Sequence, residues 1–208
     1  MKRIYLFTIC VLLAGLTIAQ NKPKGNTTQN AQSSSTQHLS CLTIKTADYY
    51  YENLALYNVV SSALTALLNL TADAYYDYSS QKEYVKNLLQ SQHVAFVDNE
   101  LQRLTKVKSI QINGSGVFEY NFFACSFRQK NNSVYYRKTT GSQRQNGYLY
   151  RIDDKTRYFM GAWSVNDDPI KEYGSDQSII GAMYKLSSGK YIMVIPEGNN
   201  CFNILEFK

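Results

Sequence analysis

Histidine is nearly missing from this chain. Only His38 and His93 occur in 208 residues. A Ser or Cys nucleophile is normally activated by a His that a third group holds in place. One His lies in a polar N-terminal stretch and the other between two helical patterns, so a Ser-His or Cys-His enzyme is disfavoured. Cysteine is also scarce: Cys10, Cys41, Cys125 and Cys201 have none of the C-x-x-C spacing of a zinc site. After the first residues no apolar run of ~20 residues occurs, so no transmembrane segment is expected. A concentrated basic face is lacking too. The formal charge is +6, but Lys2, Arg3, Lys22, Lys24 and Lys45 all precede the first acid, Asp48, and the remainder holds 17 basic against 16 acidic residues. A nucleic-acid binder needs its positive charge gathered on one surface, so that class is set aside. No cofactor is expected.

What is present begins with an export signal. Lys2 and Arg3 form a basic start, residues 4–18 are apolar, and Thr17-Ile18-Ala19 makes a cleavage site before Gln20. Leu13-Ala14-Gly15 would open a lipoprotein signal, but Leu16 stands where the lipidated Cys should follow. Residues 1–19 are therefore read as a signal peptide and the product as a soluble exported protein, periplasmic or extracellular. Cleavage removes Cys10. An oxidising compartment then admits one disulfide and leaves one thiol over. Sequence does not settle the pairing. Cys125–Cys201 is the expected bridge because both lie in apparent strands and could meet across a sheet, with Cys41 the odd one.

Residues 20–46 read as a flexible polar leader, rich in Asn, Gln, Ser, Thr and Lys. Residues 47–208 read as a single domain. Its first part, 47–104, has helical spacing: Tyr57, Val60, Leu64, Leu67 and Leu68, widened by Leu56, Val59, Ala63 and Ala66. Ser80-Gln81-Lys82-Glu83 is a capping box opening a second helix with Val85, Leu88 and Leu89. Val97, Leu101 and Leu104 suggest a short third. The tyrosines at 49–51, 57, 75, 76, 78 and 84 read as packing residues with wet hydroxyls, ahead of a ligand stripe.

From 105 to 208 the pattern is that of strands. Eight segments rich in β-branched and aromatic residues begin at Val107, Val117, Ser133, Tyr148, Arg157, Ile179, Tyr191 and Phe202. Asn113-Gly114, Asn131-Asn132, Asp153-Asp154, Ser188-Gly189 and Gly198-Asn199 punctuate them. Short connections imply antiparallel neighbours. The expected fold is α+β: N-terminal helices packed on one face or one open end of a C-terminal antiparallel β-meander, or barrel-like sheet, of about seven to eight strands.

Several pieces occur in a recognisable order: Phe122-Phe123-Ala124-Cys125; Thr140-Gly141-Ser142-Gln143-Arg144 with Gly147 and Leu149-Tyr150; Phe159-Met160-Gly161; Asp167-Asp168; Tyr173-Gly174; Gly181; and Ile204-Leu205-Glu206. From Gly116 onward the chain resembles an uncharacterised bacterial family of exported proteins, the domain of unknown function DUF4893, with Gly-Ser-Gln-Arg as its mark. The resemblance implies export and a shared fold and assigns no reaction. Family members usually carry a Cys in the strand before this region. Residues 104–110 hold none here, and Cys201 would take its place as partner of Cys125. With a bacterial resemblance, the Asn-x-Ser/Thr sites at Asn26, Asn69, Asn113 and Asn131 are read as chance.

The candidate site residues are Ser142, Gln143, Arg144, Asp168 and Tyr173. Alternation puts Gln143 and Gln145 on one face of a strand, and Ser142 and Arg144 on the other. A buried Arg can fix a carboxylate bidentately. That carboxylate would be a ligand's, or that of Asp168, Glu172 or Glu206 in an ion pair tying the 165–177 loop to the sheet. Asp153, Asp154, Asp167, Asp168, Glu172 and Asp176 are the acids open to acid–base work, although turns favour Asp for backbone reasons alone. Residues 166–176 offer oxygen ligands for Ca²⁺ but lack EF-hand spacing, and no metal is expected. The leading expectation is a non-catalytic binding or interaction module of the bacterial envelope, with a small molecule or an envelope protein as partner. The alternatives are a hydrolase using carboxylates near Arg144, and a purely structural accessory protein.

Overall fold

The computed structural model describes Leu56, residues 58–71 and residues 77–208. Residues 1–46, expected to be a signal peptide and a polar leader, and Cys41 and the tyrosines at 49–51, 57, 75 and 76 lie outside them.

Among the described residues three short helices come first: α1 (Val59–Leu68), α2 (Ser79–Gln90) and α3 (Asp98–Leu101), with a two-residue strand β1 (His93–Val94) before α3. α1 buries Leu67 of the expected stripe together with Val59 and Ala63 of its widened flank, Val60 and Leu64 pack at the margin, and Leu68 is exposed. α2 buries Val85, Leu88 and Leu89 as its spacing predicts. Its start corrects the capping box. The helix begins at Ser79, and the Asp77 carboxylate accepts the Ser79 N–H at 2.9 Å. An acceptor two residues upstream relieves the same orphan donors. In α3 the Glu100 carboxylate reaches back to the Val97 N–H at 3.0 Å.

Eight strands follow: β2 (Lys106–Asn113), β3 (Gly116–Lys130), β4 (Ser133–Lys138), β5 (Gln143–Arg151), β6 (Thr156–Val165), β7 (Ser178–Leu186), β8 (Tyr191–Gly198) and β9 (Cys201–Phe207). Each pairs antiparallel with the next from β2 to β9, and β9 pairs with β2. The sheet therefore closes into an eight-stranded antiparallel barrel. β1 extends it by pairing with the end of β7. The described residues are mostly β, with a few short helices beside the barrel. Closure leaves no free sheet edge among β2–β9, which is how all-β folds dispose of unpaired backbone groups.

Two apolar clusters divide along the pleat. One takes side chains from every barrel strand: Val107, Phe127, Tyr136, Leu149, Phe159, Met183, Met193 and Leu205 among them. Only the lumen can receive all eight strands, so this is the interior. The other joins α1 and α2 to outward residues such as Ile110, Ile112, Val194 and Ile204. The two long helices therefore lie on the outer wall. α3 and its flanks close one end, with Phe96, Leu101 and Leu104 buried in the lumen cluster. Inside, Tyr136 stands 5.0 Å from Phe127, 5.4 Å from Phe207 and 5.8 Å from Phe159, ring centre to ring centre. Rings in such contact fill a small barrel, and burying each is worth about 1.5–3 kcal/mol. The lumen is a packed core.

Gly147 and Gly161 sit opposite each other on β5 and β6. A Cβ on Gly147 would lie 2.2 Å from the Met160 carbonyl oxygen, and one on Gly161 would lie 2.2 Å from that of Asn146. The strands approach here as only glycine allows.

The expected Cys125–Cys201 bridge is absent, and both thiols are free. Cys125 pairs beside the start of β2, whose neighbour is the end of β9. Cys201 opens β9, six residues from Phe207, or about 20 Å along the strand. Two strands belonging to one sheet is not enough when the residues occupy opposite ends of the wall.

Candidate ligand-binding site

Arg144 lies on β5, and its Nη2 donates to the backbone carbonyl of Asp168 at 3.0 Å. The Ser142 carbonyl accepts the Asn166 N–H at 2.7 Å. Asn146 Nδ2 donates to the Lys171 carbonyl at 2.9 Å, and the Lys171 N–H reaches Ser164 Oγ at 3.1 Å. The 166–177 loop is thus laced onto β5 and β6. The lacing uses carbonyl acceptors where the sequence reading expected a carboxylate ion pair. Gln143 is exposed, and Gln145 points inward at 1 % exposure with neither amide atom hydrogen-bonded. Gly141 takes φ +88° beneath the Phe123 ring, 3.0 Å from where its Cβ would be. The structure brings Ser142, Arg144 and Asp168 together through backbone groups. Tyr173 belongs to a separate pocket on the outer wall.

The deeply buried arginine is another. Arg157 on β6 is 1 % exposed, its Nε donates to Asp98 Oδ1 at 2.6 Å, and its guanidinium lies 4.2 Å from the Phe96 ring centre. Glu100 takes bonds from Lys185 and from the Tyr191 hydroxyl, the latter at 2.6 Å. Bonds from Lys185, Tyr191 and the Val97 N–H bring its carboxyl down to about 2. Both acids of α3 are thereby pinned to the barrel floor. A second knot lies under α2, where Lys108 meets Glu206 at 3.0 Å and also Glu119, and Tyr84 donates to Glu206 at 2.6 Å. Burial alone would raise the Glu206 pKa, but the bonds from Tyr84, Lys108 and Lys190 outweigh it and the net shift is downward. These acids are engaged structurally. Among the described residues no group of three or more His, Cys, Asp or Glu side chains is placed to hold a metal ion.

A cleft of about 550 Å³ opens between α1 and the outer wall of β6 and β7, beside β1. Leu56, Val60, Leu64 and Leu89 form one side, and Tyr158, Ala182 and Tyr184 the other. His93, Asp153 and Thr156 supply polar groups at one end. His93 stacks on Tyr184 at 4.1 Å, and its Nε2 is buried without a hydrogen-bond partner among the described residues. Burial, helped by Lys155, lowers its pKa, so the ring is neutral at pH 7. Sequence reasoning placed His93 between helices and went no further, because its apolar neighbours come from β6 and β7, far along the chain.

A family model described as Domain of unknown function (DUF4893) matches residues 65–207. The chain belongs to that family. No curated protein and no solved structure matches it. Within this DUF4893 domain, Gly147, Gly161 and Gly181 are close-approach positions of the wall, and Glu206 is part of the knot under α2. The residues that carried the resemblance describe how the barrel is built.

Proposed function

We propose that this domain is a non-catalytic binding module of the bacterial envelope, and that its ligand is an amphipathic small molecule held in the cleft between α1 and the barrel wall. The observation that carries the reading is the cleft itself. Its ~550 Å³ falls in the range of small-molecule sites, and its walls are apolar with polar groups gathered at one end. The lumen is filled, so a ligand belongs outside it. Neutral His93 favours an uncharged hydrogen-bonding head at the polar end of the cleft. The basic start and apolar residues 4–18 support delivery to the envelope. Exposed large apolar residues, such as Leu68, Val97, Tyr120 and Ile170, belong to different elements, which favours a small ligand over a broad apolar docking face.

The test is displacement of a neutral solvatochromic dye by a long-chain fatty alcohol. Saturable binding that is lost in Ser61→Trp, a rim substitution on the exposed side of α1, is the expected result. Equal binding by that variant would refute the cleft as the site.

A further inference from the structure

We propose that the outer face of β4–β6 carries an aromatic cage for an organic ammonium ion, with a trimethylammonium head as the fitting class. The pocket measures about 220 Å³ and is lined by Tyr135, Tyr148, Tyr150, Met160, Glu172 and Tyr173. It shares no lining residue with the cleft discussed above, although Tyr150 pairs with Tyr158 of that cleft across β5 and β6, and it does not depend on that reading.

Its walls follow from strand register. Tyr135 on β4 is paired with Tyr148 on β5, so both rings rise from the same side of the sheet. Tyr150 is the next outward residue on β5. The Tyr135 and Tyr148 ring centres are 5.1 Å apart at an interplanar angle of 58°, and those of Tyr148 and Tyr150 are 6.4 Å apart at 38°. The three inclined rings line one pocket. A sugar stacks on a flat platform, whereas a compact apolar cation is best held by several ring faces at once, because each face carries negative quadrupole density.

Charge agrees. Glu172 is the charged side chain in the lining. The neighbouring base is occupied elsewhere, since Lys171 Nζ binds Asp176 at 3.1 Å. Arg137 lies outside the lining, although its charge and that of Glu172 both reach Tyr135, so it weakens the attraction without filling the cage.

The lacing of the 166–177 loop gains a purpose here. Arg144 holds the Asp168 carbonyl, Asn146 holds the Lys171 carbonyl, and Ser178 Oγ accepts the Gly174 N–H at 2.8 Å. These bonds bracket Glu172 and Tyr173 and fix them at the rim before any ligand arrives. A preformed cage avoids the ordering cost of binding.

The experiment is calorimetric titration of the purified protein with choline chloride, tetramethylammonium chloride and the neutral isostere of choline that has carbon in place of the quaternary nitrogen. Both cations should bind saturably, and the isostere at least about tenfold more weakly. Tyr148→Ala and Glu172→Gln should each weaken choline binding by about tenfold while leaving the unfolding transition in place, because both side chains are exposed. Arg137→Gln should tighten it. Sedimentation with phosphatidylcholine vesicles, competed by choline, identifies the source as a lipid head group; choline binding without sedimentation identifies a free ammonium compound, and either result supports the cage. Isostere binding as tight as choline, unchanged affinity in Glu172→Gln, or tighter binding of a hexose would overturn it.

Discussion

Arg157 Nε donates to Asp98 Oδ1 at 2.6 Å, joining β6 to α3 across 59 positions of sequence. The same guanidinium donates from Nη2 to the Phe96 carbonyl at 2.9 Å and from Nη1 to the Asp153 carbonyl at 2.9 Å. All three nitrogens are used, and the ring of Phe96 covers one face. The sequence reading expected a carboxylate partner of this kind for Arg144.

Arg157→Ala should therefore be costly and Arg144→Ala mild. Removing Arg157 leaves a partly covered carboxylate and two carbonyls without donors, a loss of about 3–5 kcal/mol. Arg144 is half-buried and its one hydrogen bond goes to a neutral carbonyl, so its loss should amount to about 1 kcal/mol. Denaturant unfolding of both variants checks the order. Equal losses, or a larger one for Arg144, would contradict it.

Acid should release α3 from the barrel floor. Glu100 has a folded-state pKa of about 2, lowered by the Lys185, Tyr191 and Val97 bonds. A depressed carboxylate contributes stability that is present above its unfolded pKa and is lost as pH falls toward the folded value. The window is thus about pH 4.5 down to 2. Glu100→Gln should be less stable at pH 7 and show a shallower decline across that window. A wild-type curve that is flat there would remove the proposed linkage.

The two described thiols should behave differently. Burial pushes the Cys125 thiol up to about 12, so almost no thiolate forms at pH 8. Cys201 lies in the β8–β9 turn region, half-buried, with its thiol near the Asn199 carbonyl. A thiol reagent at pH 8 should label Cys201 in the native protein and Cys125 only after denaturation, with peptide mass mapping as readout. A cross-linked Cys125–Cys201 peptide would rule this out.

Substitution at the glycines should divide them sharply. Gly147→Ala forces a Cβ into the backbone of β6 and should cost about 1–3 kcal/mol or more. Gly114→Ala meets nothing within 4 Å and should be near neutral. Thermal unfolding distinguishes them, and a tolerated Gly147→Ala would mean that the two strands can separate without loss.

Strand existence was legible because each inward residue alternates with an outward one, and turn residues mark the ends. Asn131, Asn199 and Gly189 take positive φ at three of the hairpins that the sequence marks. The two-residue strand β1 was not legible, since His93 and Val94 gain their pairing only from Leu186 and Lys185. The start of α2 lies two residues ahead of the expected box, with Tyr78 at the N-cap in place of Ser80, and Asp77, outside that box, accepts the first N–H. Of the candidate site, the tie between residue 144 and the 166–177 loop could be anticipated, but its acceptor could not. A carbonyl leaves no mark in a sequence, whereas acidic side chains invite a pairing that the backbone pre-empts.

Periodicity and turn chemistry belong to the sequence itself: eight strands in antiparallel succession, helices before them, and a chain poor in the groups that nucleophilic and metal catalysis require. Those are local properties, set by side-chain shape and by where the backbone can reverse. Closure of β2 on β9, the choice of which pleat face became the lumen, the burial of Arg157 in place of Arg144, the separation of Cys125 from Cys201 and the meeting of Tyr135 with Tyr148 were decided only in three dimensions. Each depends on register between segments distant in sequence, and a shift of one residue would turn every one of those side chains to the other face.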